Sequence, residues 1–158
     1  MAEWQVVFHI VPSSALAAAP QPFTPAILDH TDWWASAAFP GDYRTQLATV
    51  ASAPRTWQSG FERWGPEAQN HVDVWSVGGR VRRVVAQVDV RRLDSRFGAA
   101  LLGFVRRVDA VLIRADGMVV ATTIGAFAAA LRSSSAWRHA SDPATFLSRR
   151  AAIEGEEI

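Results

Sequence analysis

Asp73 and Asp89 are the two residues of this sequence that could act as a catalytic pair. They lie in two Val-Asp-Val triplets on either side of a Gly-Gly turn. Two carboxylates within about 10 Å of each other can serve as acid and base, as they do in glycosidases. Whether these two can meet depends on how the strands that carry them pair, so the strands have to be placed first.

Residues 71–90 are predicted to form a β-hairpin, because valine alternates with polar residues on both sides of the turn. A three-residue loop over 77–79 puts the valines of both strands on one face, whereas a two-residue loop would mix valines with polar residues. We therefore predict the three-residue loop, with Asp73 opposite Arg83 in a cross-strand ion pair. Asp89 then lies roughly 20 Å from Asp73, which is too far for a catalytic pair.

The four histidines show no helical metal-binding spacing. They are His9, His30, His71 and His139. His30 and Asp32 could supply two ligands, but "DHTDWW" reads more simply as a loop or a helix cap. The chain has no Cys and no Lys, which excludes thiolate sites, Schiff-base chemistry and a P-loop. No serine lies in a G-x-S-x-G motif. We therefore predict no cofactor, no metal and no catalytic residue, and the sequence favours a non-enzymatic protein.

Length and charge indicate one globular domain over residues 1–158. The chain is 49% hydrophobic and 20% charged, with a net charge of +1. That charge gives no broad positive field for nucleic acid or an anionic membrane. No stretch has the eighteen or so apolar residues of a membrane span, and Glu3 stands where a signal peptide carries positive charge. We expect a cytoplasmic protein, monomeric or homodimeric, that binds neither nucleic acid nor membrane.

Hydrophobic periodicity predicts an α+β fold. Strands are predicted at 4–11, in the hairpin, at 110–113 and at about 118–121. Helices are predicted at 41–53 with Asp42 as N-cap, at 95–108 with Asp94 as N-cap, from Thr122 or Thr123 to about Arg132, and from Asp142 onward. Irregular connections fill 12–40 and 55–70, and the tail 154–158 is expected to be loose. This order predicts an antiparallel sheet of four to five strands with helices on one face, built as a ferredoxin-like βαββαβ core plus a C-terminal strand and helices.

The polar side of this sheet is the candidate protein-binding face. It collects His9, His71, Asp73, Trp75, Arg83, Val85, Gln87 and Asp89. Tryptophan, arginine and valine with a few charges are the composition of a binding surface. Two alternatives remain open: the C-terminal helices cover this face and make it a second small core, or the face joins two copies of the chain.

The connections contain four of the seven tryptophans. They are Trp33, Trp34, Trp57 and Trp64. Such residues could line a pocket between the loops and the sheet, with His71 or His9 as an acid–base group. That arrangement would indicate a small enzyme or a ligand-binding domain. Tryptophans in loops more often tether the loops to the body of the protein.

Several segments resemble a pattern found in small bacterial α+β proteins of uncharacterised function. The pattern comprises Trp64-Gly65, Asn70, Asp73-Val74-Trp75, Gly79-Arg80-Val81, Asp89 with Arg91, and Asp142-Pro143 with Phe146-Leu147. The resemblance brings no catalytic residues with it. Some proteins of this general type are immunity proteins, which neutralise a toxin by binding it, so the resemblance implies a protein-binding module, with a toxin as one kind of partner.

Overall fold

The structure is a computed structural model that describes residues 3–18, 21–55 and 57–141. Its strands are β1 (Gln5–Pro12), β2 (Phe61–Trp64), β3 (His71–Val77), β4 (Arg80–Asp89), β5 (Ala110–Arg114) and β6 (Val119–Val120). Its helices are α1 (Pro25–His30), α2 (Tyr43–Leu47), α3 (Ser95–Arg107), α4 (Ile124–Arg132) and α5 (Ser135–Ser141), and a 3-10 turn follows β1 at Ser13–Ala15.

The six strands form one antiparallel sheet in the order β2-β3-β4-β1-β5-β6. Strand β1 lies inside the sheet, with Phe8 opposite Ala86 of β4 and Ile10 opposite Leu112 of β5. Every residue of β1 except Val7 is buried. This double burial explains why the strand is apolar on both sides.

Helices α3 and α4 cover one side of the sheet, which we call the helix-covered face. Phe127 of α4 packs on Phe8, with 5.4 Å between the ring centres. Helix α3 can approach α4 closely because Gly98 has no side chain, and an added Cβ would lie 3.3 Å from the Phe127 ring. Two of the predicted N-caps are present: Asp94 accepts hydrogen bonds from the first turn of α3, and Thr123 does so for α4.

The other side of the sheet, the opposite face, carries the polar residues of β3 and β4. Because side chains alternate along a strand, His9 lies on this face together with its cross-strand partner Val85. Helix α1 lies against it, where Asp29 approaches both His9 and Arg83. Helices therefore lie on both faces, and the expectation of helices on one face only is wrong.

The α+β class, the single domain and the antiparallel sheet are confirmed, whereas a ferredoxin-like topology is not established. The sheet has six strands because Phe61–Trp64, predicted as part of an irregular connection, forms the edge strand β2. The helix predicted over 41–53 is limited to Tyr43–Leu47, and the side chain of Asp42 makes no capping hydrogen bond. The chain from β1 to β3 thus contains two short helices and an extra strand, and it is not a single-helix crossover.

The hairpin closes differently from the prediction. Val77 pairs with Arg80, so the loop has two residues, Gly78 and Gly79, both with positive φ. A bulge then shifts the register, because Ser76 pairs with Val81 and Trp75 with Arg83, which leaves Arg82 as the extra residue. The bulge restores the predicted sharing of faces between the valines. The register is nevertheless two residues away from the predicted one.

No helix in the described part of the chain is long and apolar enough to cross a membrane. The helix predicted from Asp142 and the tail 154–158 lie outside the described residues.

Gly65 is one of the glycines at which a side chain would clash with the backbone. Its φ is +102°, and an added Cβ would lie 2.6 Å from the Asn70 carbonyl oxygen. We expect Gly65→Ala to lower the free energy of unfolding by about 2 to 3 kcal/mol, from backbone strain and the clash. Gly103→Ala, inside α3 with no atom within 4 Å of the new Cβ, should instead raise it by up to about 1 kcal/mol. Urea denaturation measures both; equal effects would contradict the prediction.

Candidate functional site

The eight residues of the predicted binding face do share one face of the sheet, but most of them are buried. His9, His71, Asp73, Val85 and Asp89 are each less than 5% exposed. Trp75, Arg83 and Gln87 are partly exposed. The surface available to a partner in this structure is therefore centred on the last three residues.

The cover over the buried residues comes from two connections of the chain. The first is the turn between β2 and β3: the backbone carbonyls of Pro66 and Gln69 contact Nδ1 of His71, and Gln69 also accepts from the Gln5 side chain. The second is helix α1, which lies over His9. In one alternative considered from the sequence, the C-terminal helices cover this face. The contacts described here come instead from the β2–β3 turn and from α1.

Asp73 binds Arg63 of β2, which corrects the predicted pairing with Arg83. The Nε and Nη2 atoms of Arg63 donate to the two carboxylate oxygens of Asp73 at 2.8 and 2.9 Å. Asp73 is 1% exposed, so this bidentate pair satisfies a carboxylate that has lost its water. Arg63 also lies 3.2 Å from Glu67. The hydrogen bond from Arg63 to Asp73 raises the pKa of the guanidinium above its ordinary value.

Asp89 is held separately and cannot pair with Asp73. Its carboxylate accepts from the backbone N–H and from the guanidinium of Arg91. Asp73 is opposite Val85, four residues before Asp89 in β4, which puts the two aspartates about 14 Å apart at the usual rise and spacing of strands. The two aspartates are too far apart for a catalytic pair, as the sequence predicts, although the distance is shorter than the predicted one.

Four neighbouring side chains form a row across β2, β3 and β4, which we call the aromatic row: Arg63, Phe61, Trp75 and Arg83. The rings of Phe61 and Trp75 lie 5.3 Å apart. The guanidinium carbon of Arg83 lies 4.1 Å from the centre of the Trp75 ring, and that of Arg63 lies 5.4 Å from Phe61. Such cation–π contacts hold flat groups in fixed orientations. The row is therefore preorganised.

Helix α1 fixes the Arg83 end of the row. Arg83 donates to the backbone oxygen of Asp29 at 3.0 Å, and the Asp29 carboxylate lies 3.8 Å from the same nitrogen. Nε2 of His9 lies 3.7 Å from that carboxylate. Burial lowers the pKa of His9 to about 4; Asp29 opposes this shift and Arg83 adds to it. His9 is thus neutral near pH 7.

The acid–base role considered for His9 or His71 would require a cleft beside one of these histidines. Four clefts of about 240 to 690 Å³ are lined by neither histidine. Within the described ranges no three His, Asp or Glu side chains gather in a way that could hold a metal ion.

The tryptophans of the connections divide into two kinds. Trp33, Trp34 and Trp64 are buried; the indole N–H of Trp33 donates to Leu28 and that of Trp34 to Ile10. Trp33 and Trp34 therefore tether the loop that follows α1, whereas Trp64 lies in strand β2. Trp57 is 58% exposed and lies beside a cleft.

A polar cluster on the helix-covered side of β2 was missed by the sequence reasoning. Glu62 accepts from the Tyr43 hydroxyl at 2.5 Å and from Nε of Arg44 at 2.6 Å. The alternation of apolar and charged residues in "FERW" is a signal for a strand, but it covers only four residues and lies in a segment predicted to be irregular.

Comparison of the chain with protein-family models, with curated proteins and with solved structures gives no match.

We expect Arg63→Leu to lower the free energy of unfolding by about 3 kcal/mol, because it leaves the Asp73 carboxylate buried without its cation. The matched control is Arg82→Leu, which removes an ion pair to Asp32 at 3.0 Å between partly exposed side chains and should cost less than about 1 kcal/mol. Urea denaturation at pH 7 compares the two; similar losses would show that the Asp73 pair has no special weight.

We expect the protonation of His9 to lower the stability of the protein in acid. Its pKa is about 4 in the folded chain, against an ordinary value of 6.5 once the chain unfolds, so the unfolded state binds the proton first. Stability from neutral His9 is complete above pH 6.5 and is lost as the pH falls toward 4, by about 3 kcal/mol in all. His9→Gln should lose less stability than wild type over that range, and His30→Gln, on an exposed residue, should behave like wild type. Urea denaturation at several pH values measures this; parallel curves for wild type and His9→Gln would contradict it.

Proposed function

We propose that this protein is a non-enzymatic protein-binding module, and that the aromatic row is its docking site. The observation that carries the proposal is Trp75, a partly exposed tryptophan fixed between the Phe61 ring and the Arg83 guanidinium. Tryptophan and arginine dominate the binding energy of many protein interfaces. A side chain that is already fixed loses little conformational freedom when a partner covers it.

The surroundings of the row support a protein partner. Gln87 and Val7, both partly buried, continue the surface from the row toward β1. At the other end, Phe61 and Arg63 line a cleft of about 690 Å³ between β2 and residues 52–55. A partner that places an apolar side chain in this cleft and hydrogen-bond acceptors opposite Arg83 would complement the face.

A toxin is the class of partner that we propose. The support for this narrower step is the resemblance of residues 60–150 to small bacterial proteins, some of which resemble immunity proteins. A cytoplasmic location belongs to the same proposal. A partner that stops growth when expressed alone, and does not when this chain is co-expressed, would support the immunity role.

We expect Trp75→Ala to abolish capture of a partner from a lysate of the source cells, whereas Trp57→Ala, an exposed tryptophan outside the row, should capture it as wild type does. With the purified partner, Trp75→Ala should weaken binding about 30-fold, the effect of a hot-spot side chain worth about 2 kcal/mol. Arg83→Glu provides a second variant of the row. Isothermal titration calorimetry measures the affinities, and thermal unfolding confirms that each variant is folded.

Two outcomes would contradict this proposal. One is a partner that binds folded Trp75→Ala and Arg83→Glu as tightly as wild type, since its site must then lie elsewhere. The other is the same background of captured proteins for wild type and both row variants.

A further inference from the structure

A cleft separate from the aromatic row lies at the end of the sheet where β3 turns into β4. It has a volume of about 330 Å³, and its lining includes Arg44, Trp57, Glu62, Ser76 and Gly79. A second cleft of about 560 Å³ shares Arg44, Ser76 and Gly79 with it. The Arg44 side chain therefore lies between the two clefts and lines both of them.

Arg44 presents unused hydrogen-bond donors to these spaces. Its side chain is 58% exposed, and its Nε atom donates to Glu62 at 2.6 Å. Its two Nη atoms donate to no group in the described part of the chain. The guanidinium carbon lies 5.1 Å from the centre of the Tyr43 ring and 5.6 Å from that of Trp57. The guanidinium is thus held through Nε and lies near two rings, while its Nη atoms remain open.

Glu62, which is buried beneath Arg44, holds the guanidinium in place. It is 4% exposed, and its second carboxylate oxygen accepts from the Tyr43 hydroxyl. Burial and the hydrogen bond to Glu62 raise the pKa of Tyr43 to about 12, so Tyr43 remains a donor at neutral pH. With both oxygens engaged, Glu62 fixes the plane of Arg44. The pair carries no net charge.

Trp57 supplies a flat apolar surface beside the fork. Its ring meets the buried Trp64 edge to face, with 5.9 Å between centres and an interplanar angle of 81°. More than half of the Trp57 side chain faces solvent, unlike the other tryptophans of the connections. An aromatic surface next to a guanidinium fork combines stacking with recognition of an anion.

We propose that this cleft binds a small ligand in which a flat ring carries a carboxylate or a phosphate. The anionic group accepts hydrogen bonds from the two Nη atoms of Arg44, and the ring stacks on Trp57. Carboxylates and phosphates both match the spacing of the guanidinium donors. Because Glu62 already neutralises Arg44, an anion without a ring gains little, and a ring without an anion leaves the fork unused. Tight binding requires both parts on one molecule.

The test compares four probes on the whole protein by isothermal titration calorimetry: phenyl phosphate, benzoate, inorganic phosphate and phenol. We expect phenyl phosphate or benzoate to bind at least tenfold more tightly than both inorganic phosphate and phenol. The tighter of the two ring-bearing anions identifies the anionic group. Equal affinity for all four probes, or no binding of either ring-bearing anion at millimolar concentration, would overturn the proposal.

Two variants locate the site. Trp57→Ala should reduce the affinity for the ring-bearing anion about tenfold while leaving weak phosphate binding unchanged, since loss of a stacking ring has an effect of this size. Arg44→Lys, which keeps the charge and removes the fork, should also weaken it. Leu93→Ala and Arg92→Lys are matched exposed controls near the other end of β4, about 30 Å away, and should bind like wild type. Wild-type affinity in folded Trp57→Ala would exclude the cleft as the binding site, even if Arg44→Lys is too unstable to study.

Discussion

The ion pair between Asp73 and Arg63 is the interaction on which both candidate sites depend. A carboxylate that is 1% exposed requires a partner with fixed geometry, and the two donors of Arg63 provide it. The pair joins β2 to β3 at the edge of the sheet, where a strand of four residues has few backbone hydrogen bonds of its own. The pair therefore helps to fix the position of β2 and of the side chains that it carries.

Strand β2 serves both faces of the sheet because its side chains alternate. Phe61 and Arg63 point to the opposite face and form half of the aromatic row. Glu62 and Trp64 point the other way, where Glu62 orients Arg44 and Trp64 supports the Trp57 ring. One short strand therefore supplies the inner parts of a proposed protein-docking site and of a proposed ligand cleft.

The sequence predicted the long, periodic elements and missed this short one. Strands β1, β3, β4 and β5 and helices α3 and α4 follow the predicted segments closely, because each has several residues of consistent periodicity. Strand β2 has only two residues per face, fewer than a pattern needs to stand out. The partners Arg63 and Asp73 are ten residues apart, a separation that carries no signal until the strands are known to be adjacent.

The register of the hairpin shows a second limit of sequence patterns. Alternation predicted which valines share a face, but it could not distinguish registers that differ by two residues. The bulge at Arg82 determines which of these registers forms.

The burial of the opposite face had no sequence signal for a different reason. The cover is made by backbone carbonyls of Pro66 and Gln69 and by a six-residue helix, and neither shows periodicity. Composition alone therefore predicted a larger exposed face than the structure has.

The shared strand also determines how the two sites can be separated. A change at Arg63 or Glu62 removes a buried contact of β2, so it would disturb both faces together and could not assign an effect to one of them. Trp75 and Trp57 make no hydrogen bond to Arg63 or Glu62, so their loss leaves the Arg63–Asp73 and Arg44–Glu62 contacts in place. The two proposed sites can thus be separated at Trp75 and Trp57, although both depend on the same strand.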